Sequence, residues 1–505
     1  MRDTSNVMAG RPAGVCRVAI AIILLVVTGA YGQSAPTGEA RPTGSGAARA
    51  RRVAEPVNIV IFLIDTLRTD HLGVYGYDRR PTSPRIDALA REAVVFEQAY
   101  APSPWTLPTV ASLLTSTLPC EHGTLYDKQR LSDSLEPLAE RIKRLDYATI
   151  SLYANAFAGP NFGMDRGYDF IQACVETEGK RVGKILDQQP TRPFFLYIHN
   201  TEPHTPHRFA PEHTDGFRDI PSSTRDKIEG HYTAYRRLTR IDFAEKRPVG
   251  FTDNTEEQKR EMAALSAMSD DYIELYDASV RLADTYVGSV IDALRERHLW
   301  DTTLFIVLAD HGEEFNEHGG WLHDQSAYEE LMSVPLIVRF PHGQYAGRRI
   351  QSVVSLIDVL PTIFAYLDAP EVARGARGRN LMPVIRRNQL DRTEDFIIPG
   401  MRINRKKYYR PWKESRGDTN VVVRRGKWKG IWNAEPDTLE LYNLAADPDE
   451  RHDVSAANPD LAMAMQLMAR LSFQDCRRNK AAPPRRSDEP DKETLNNLRA
   501  LGYVD

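Results

Sequence analysis

NIVIFLID, residues 58–65, is an unbroken apolar run that stops on an aspartate. Apolar residues at every position, rather than every second one, mark a strand buried on both faces, as in a parallel sheet covered by helices. Two further runs behave alike: FFLYIH at 194–199 leads into NTEPH, and LFIVLA at 304–309 ends at Asp310-His311. Open α/β sheets bind ligands just beyond the carboxyl ends of their strands. One Asp after a strand is ordinarily a turn or a cap. Three strands delivering Asp and His to one edge point instead to a site. The expected fold is therefore α/β, a large, mostly parallel sheet flanked by helices.

Between the second and third runs, Ile273, Tyr276, Val280, Ala283, Val287, Val290 and Leu294 recur at steps of three and four. That period gives one apolar helix face packed on the sheet, with no function assigned to it. The chain has 505 residues, room for a large domain and a smaller one. Its net charge of −4 argues against a dedicated nucleic-acid binder. Residues 1–32 carry Arg2, Arg11 and Arg17 before VAIAIILLVV, then small residues at Ala30 and Gly32. This is the pattern of an export signal cleaved near Gly32, or of an uncleaved anchor, the one case that would bring a membrane into play. The expected location is periplasmic or extracellular. Residues 33–56 read as a linker, 57–370 as the main domain, 371–472 as a small α+β subdomain, and 473–505 as a polar tail. Cleavage would leave Cys120, Cys174 and Cys476, compatible with one bridge and one free thiol, with the pairing open. Residues 402–429 hold eleven Lys or Arg against two acidic residues, which reads as a polyanion-capturing strip or as a solvated face.

Asp65, Asp310 and His311 offer two carboxylates and an imidazole, a donor set for a hard or borderline divalent cation. His204, His207, His318 and His323 cluster near the strand ends as donors to an anionic substrate or as proton carriers. His199, inside the strand, reads as buried and structural, and His122 as loop packing. Thr106 opens a helix in PSPWTLPTVASLLTSTLP, residues 102–119. It is a cap by default, and a nucleophile only if a metal or base ionises its hydroxyl.

These stretches, in order, resemble the sulfatase family of the alkaline-phosphatase superfamily over most of residues 57–455. NIVIFLIDTLRTDHLGVYGY is similar to the first metal-binding strand and WTLPTVASLLTSTLPCEHG to the nucleophile helix. NFGMDRGYDF is similar to the segment after it, and FFLYIHNTEPHTPH to the substrate-histidine loop. TTLFIVLADHGEEFNEHGGWLHDQSAYEELMSVPLIVRFP is the most specific match, and LELYNLAADPDE resembles the C-terminal subdomain. The resemblance implies Asp65, Asp310 and His311 as metal ligands, with Thr106 as nucleophile and fourth ligand. It implies that His204 contacts the transferred group, and that His323 binds substrate oxygens or protonates the leaving group.

The departures are specific. Sulfatases carry C-x-P-x-R or S-x-P-x-R, whose first residue becomes formylglycine; here the frame reads Thr106-Leu107-Pro108-Thr109-Val110. Formylglycine is therefore not expected, and Cys120 cannot substitute because no Pro lies two residues beyond it. The family's paired aspartates become Asp65-Thr66. One divalent ion, Ca²⁺, Mn²⁺ or Zn²⁺, fits this set, and Glu202, His204 and His207 are candidates for a second. The expected activity is metal-dependent hydrolysis of sulfuric or phosphoric esters of a small molecule, glycan or lipid. A transferase of phosphoryl-linked groups to envelope or lipid acceptors, and a non-catalytic sulfatase-like binding protein, are the alternatives.

Overall fold

The structure is a computed structural model. It describes residues 56–505 except 127–128, 175–178, 189–191, 209, 211–215, 240, 243–246, 249–255, 388–396, 404–418, 483–491 and 502–505. The export segment and all but the last residue of the linker lie outside the described residues. No described helix is long and apolar enough to cross a membrane.

The central sheet has eight strands: β1 (Asn58–Ile64), β2 (Val94–Phe96), β3 (Ala148–Tyr153), β4 (Phe170–Ala173), β5 (Phe194–Asn200), β6 (Thr303–Ala309), β7 (Leu336–Arg339) and β8 (Arg348–Ile350). Their order is β8-β2-β7-β6-β1-β5-β3-β4. Only β7 runs antiparallel to its neighbours, β6 and β2. The three apolar runs are the adjacent central strands β6, β1 and β5, and every residue in them is buried. Their registers align Ile64 with Ala309 on one side and with Asn200 on the other. Asp65, Asp310 and the loop after Asn200 therefore leave the sheet at one level.

Two helices matter most for the site. Helix α1 (Thr106–Thr115) is buried along its whole length, as its apolar composition requires. Helix α2 (Ser269–Glu296) buries the expected stripe from Tyr276 to Leu294, Ile273 being only partly covered. A second sheet, β9 (Ile397–Ile403), β10 (Thr419–Arg425), β11 (Trp428–Asn433) and β12 (Thr438–Asn443), is antiparallel and carries helix α3 (Pro459–Arg478). Its own core gathers Met401, Val421, Val423, Leu441, Met465 and Ala469.

Packing links the stretches on either side of the expected boundaries. Leu381, Met382 and Ile385, beyond residue 370, join the main core. Helix α3 runs past residue 472 to Arg478, and its fully buried Cys476 is bonded to Cys120 just beyond α1. A further helix, α4 (Lys492–Ala500), lies within the expected tail. Cys174 is free and buried. The basic run also reads differently: Arg402, Arg424 and Lys429 are buried, with Lys429 Nζ held 2.8 Å from Glu329 and 2.9 Å from Glu450. At these three positions neither a solvated face nor a polyanion strip exists, because the side chains are buried: Lys429 is paired with two carboxylates, Arg402 bonds Asp324 O and Asn420 Oδ1, and Arg424 bonds Gln98 Oε1 and Gly426 O. The run's residues 404–418 lie outside the described residues.

The Cys120–Cys476 bond spans 356 residues of sequence. A reductant is expected to destabilise the protein by about 2–4 kcal/mol in chemical unfolding. The Cys120→Ser/Cys476→Ser double variant should show that loss already and no further response to reductant.

Candidate metal and ester-transfer centre

Asp65, Asp310 and His311 converge so that one donor atom from each lies within 4.8 Å of the others, all fully buried. His311 Nε2 is 3.7 Å from Asp65 Oδ1 and 3.5 Å from Asp310 Oδ2. Those two carboxylate oxygens are buried and accept no hydrogen bond. Burying carboxylate oxygens without a partner is costly, so the arrangement fits a cation seated among them. The opposite oxygens are engaged. Asp65 Oδ2 accepts from Asn155 Nδ2 at 2.7 Å, with His199 Nε2 at 3.4 Å. Asp310 Oδ1 accepts from the backbone N–H groups of Thr66 (3.2 Å) and His311 (2.9 Å). His311 Nδ1 donates to Gly312 O at 2.8 Å, which leaves Nε2 with the lone pair a metal needs.

Electrostatics follow from this crowding. Burial would raise Asp65, but the His199 hydrogen bond and the charges of His204, His199 and His311 outweigh it and hold the carboxyl well below its usual range. Burial and the neighbouring Asp65 charge push Asp310 up. Burial opposes the charged form of His311, yet Asp310 and Asp65 raise it above its ordinary value.

Thr106 stands at the same point. Its Oγ1 lies 3.2 Å from His311 Nε2, and the residue is fully buried. The residue preceding the helix is Trp105, in extended conformation, and no side chain caps the helix start. Thr106 therefore spends its hydroxyl on the His311 imidazole and not on capping. The rings of His204 and His323 complete the wall, 5.3 Å apart, and His323 lies 4.5 Å from the His311 ring. His323 Nδ1 is 3.4 Å from Glu313 Oε1, and His204 Nδ1 donates to Thr205 O at 2.5 Å.

The structure thus brings together Asp65, Asp310, His311, Thr106, His204 and His323. Others fall elsewhere. His318 stacks on Tyr328 at 3.6 Å and pairs with Glu330 at 2.7 Å. His207 bonds Pro203 O at 2.9 Å and packs on Tyr272. Glu202 pairs with Arg208 at 3.2 Å, and burial lifts its pKa to about 8. Among the described residues, Asp65, Asp310 and His311 are the sole trio close enough to share an ion.

Sequence reading missed the supporting residues. His199 is buried, as expected, but it also serves the site. The Tyr197 hydroxyl, kept protonated by burial, lies 3.2 Å from Nδ1, so Nε2–H faces Asp65. Asn155 had no motif to mark it. Thr66, a β-branched residue, sits at φ 57°, an unfavourable conformation. It is held there by its N–H bond to Asp310 and by the Tyr276 hydroxyl on its carbonyl at 2.7 Å. Helix α2 is therefore more than a packing face: its Tyr276 fixes the turn after Asp65.

A sulfatase family model matches residues 57–369, and the C-terminal model of N-sulphoglucosamine sulphohydrolase matches residues 316–477. The chain belongs to the sulfatase family. It is 24% identical over 458 residues to a choline-sulfatase of Rhizobium meliloti (strain 1021), covering 77% of this chain and 83% of that one. It is 21% identical over 472 residues to an N-acetylglucosamine-6-O-sulfatase of Bacteroides thetaiotaomicron, covering 79% and 82%. In fold it is similar to BT4656, solved with its substrate D-glucosamine-2-N,6-O-disulfate (TM-score 0.65, 18% identity, 85% of this chain and 100% of that chain). It is also similar to a phosphonate monoester hydrolase of Agrobacterium radiobacter (TM-score 0.60, 20% identity, 86% and 100%). The chain is accordingly a sulfatase-class ester hydrolase.

His122 gives a test beneath helix α1. Its Nδ1 accepts from Thr124 N–H at 3.0 Å, so Nε2–H faces Ser112 Oγ, also at 3.0 Å. Burial pulls its pKa down from 6.5 to about 3. The unfolded chain protonates His122 throughout that window while the folded one does not. Stability should therefore fall as pH drops below about 6.5, by up to about 1.4 kcal/mol per pH unit from this residue. Urea unfolding at pH 7 and pH 5 should show a smaller difference for His122→Gln than for the native chain; an unchanged difference would contradict the assignment.

Proposed function

We propose that this protein is an exported, metal-dependent hydrolase of sulfuric or phosphoric esters in which Thr106 Oγ1 is the attacking oxygen. The observation that carries the reading is the placement of that hydroxyl, 3.2 Å from His311 Nε2 and free of any capping role. A divalent cation held by Asp65, Asp310 and His311 would lower the hydroxyl's pKa and offset charge on the transferred group.

The chain's own residues supply the rest. Thr106 Oγ1 forms the new bond to sulfur or phosphorus as the bond to the ester oxygen breaks. His323 and His204, whose rings lie 5.3 Å apart, are the two proton carriers: one accepts the hydroxyl proton and the other protonates the departing oxygen. A formylglycine hydrate can release its sulfate by elimination, through its second hydroxyl. A threonine ester has none, so water must attack the sulfur or phosphorus to free Thr106. The substrate is a sulfated or phosphorylated small molecule, glycan or lipid; the names of the choline-sulfatase and N-acetylglucosamine-6-O-sulfatase relatives support the sulfated small-molecule and glycan classes.

Thr106→Ala is expected to lose at least about a thousandfold in turnover, and His323→Ala about a hundredfold or more. Assays on an aryl sulfate, a phosphate monoester and a phosphonate monoester, with Ca²⁺, Mn²⁺ or Zn²⁺ restored to stripped protein, check this. Full activity in Thr106→Ala would exclude it as nucleophile, and no turnover under any ion would favour the binding-protein alternative.

Export is supported by the leader pattern and by the Cys120–Cys476 bond, which suits an oxidising compartment. The N-terminal sequence of protein recovered outside the cytoplasm should begin after Gly32, and a chain retained in the cytoplasm would refute export.

A further inference from the structure

The C-terminal helix α4 reaches into the site's support from the far end of the chain. Asn497 donates from Nδ2 to Ala154 O at 2.6 Å and accepts at Oδ1 from Ala156 N at 2.8 Å. These two backbone groups flank Asn155, the residue that holds Asp65. Asn155 is fully buried, its Oδ1 fixed by Phe157 N–H at 3.0 Å, so its Nδ2 is aimed at Asp65 Oδ2, 2.7 Å away. The same turn carries Phe157, whose ring meets Trp105 edge-on at 5.6 Å, directly before Thr106. Helix α4 is anchored independently by Leu498 in the main core and by the Asn161–Thr494 bond at 2.6 Å.

From this chain of contacts we propose that Asn497 is a positioning residue for the metal centre, acting through Asn155 on Asp65. The amide is complementary on both sides: a donor meets the Ala154 carbonyl and an acceptor meets the Ala156 N–H. It thereby fixes the backbone on either side of Asn155 and so the direction of the Asn155 side chain. With Asp65 Oδ2 occupied, Oδ1 is the oxygen left to face His311. Removing Asn497 frees this turn, lets Asp65 rotate, and weakens the convergence of the three donors. Partners that orient metal ligands typically change metal affinity by about 10–100-fold when lost. The inference rests on the metal reading proposed above.

The test is calorimetric titration of Mn²⁺ into the full mature chain after metal stripping, with melting curves of the same samples with and without Mn²⁺. Asn497→Ala should bind Mn²⁺ about tenfold or more weakly. Its metal-induced rise in melting temperature should shrink, which a purely structural bond would leave unchanged. Thr494→Ala, which loosens the same helix away from Asn155, should keep native affinity. Should Asn497→Ala not fold, Asn497→Asp, which keeps the acceptor for Ala156, should show a smaller but definite loss. Native affinity in the foldable Asn497 variant, with Asp65→Asn losing binding, overturns the inference and leaves the metal reading standing. Equal losses in Thr494→Ala and Asn497→Ala overturn the specific role of the amide in favour of general helix docking. A native chain that binds neither Mn²⁺, Ca²⁺ nor Zn²⁺ overturns the metal reading, and this inference with it.

Discussion

Two carboxylates buried within reach of each other and of one imidazole set the terms for the rest of this protein. Unpaired buried charge is among the most expensive features a fold can carry. Asp65 and Asp310 tolerate it by splitting their oxygens. One oxygen of each is satisfied by fixed donors: Asn155 and His199 on Asp65, and the Thr66 and His311 backbone on Asp310. The other pair, left without donors, faces His311 Nε2. A cation would complement those oxygens, and the three donors are rigid because each rests on a central strand or its first turn.

Much of the remaining architecture serves to keep those donors still. The parallel registers of β5, β1 and β6 bring three strand ends to one level. Tyr276 on α2 holds Thr66 in its unfavourable backbone conformation so that its N–H reaches Asp310. Gly312 must lack a side chain, since a Cβ there would lie 1.9 Å from Glu330 O. The end of the chain contributes twice, through the disulfide from α3 to the turn after α1 and through Asn497. The Thr106 hydroxyl stands beside these donors, 3.2 Å from His311 Nε2.

The sequence made the sheet and the ligand trio legible because both are written locally. A two-faced apolar run ending in Asp or Asp-His places its own last residue at a sheet edge, and order along the chain supplied the resemblance for Thr106, His204 and His323. The support was not legible. Asn155 and Asn497 are 342 residues apart, with no pattern linking them. Tyr276 looked like one more apolar stripe position, since a hydroxyl at the rim of a buried face does not alter the helical period. His199 looked merely buried because alternation along β5 cannot show which side chain meets β1 beyond its end. The Cys120–Cys476 pairing and the helix at Lys492–Ala500 depend on tertiary docking, which composition alone presents as a polar tail.

Thr106 Oγ1 is the proposed acceptor of the transferred group. Acid quenching during steady turnover of a phosphate or sulfate monoester, followed by proteolysis and peptide mass spectrometry, tests that most directly. The peptide containing Thr106 should carry a phosphoryl or sulfuryl group, with the adduct absent from Thr106→Ala. An adduct on Ser103, Thr109, His204 or any other residue would contradict it.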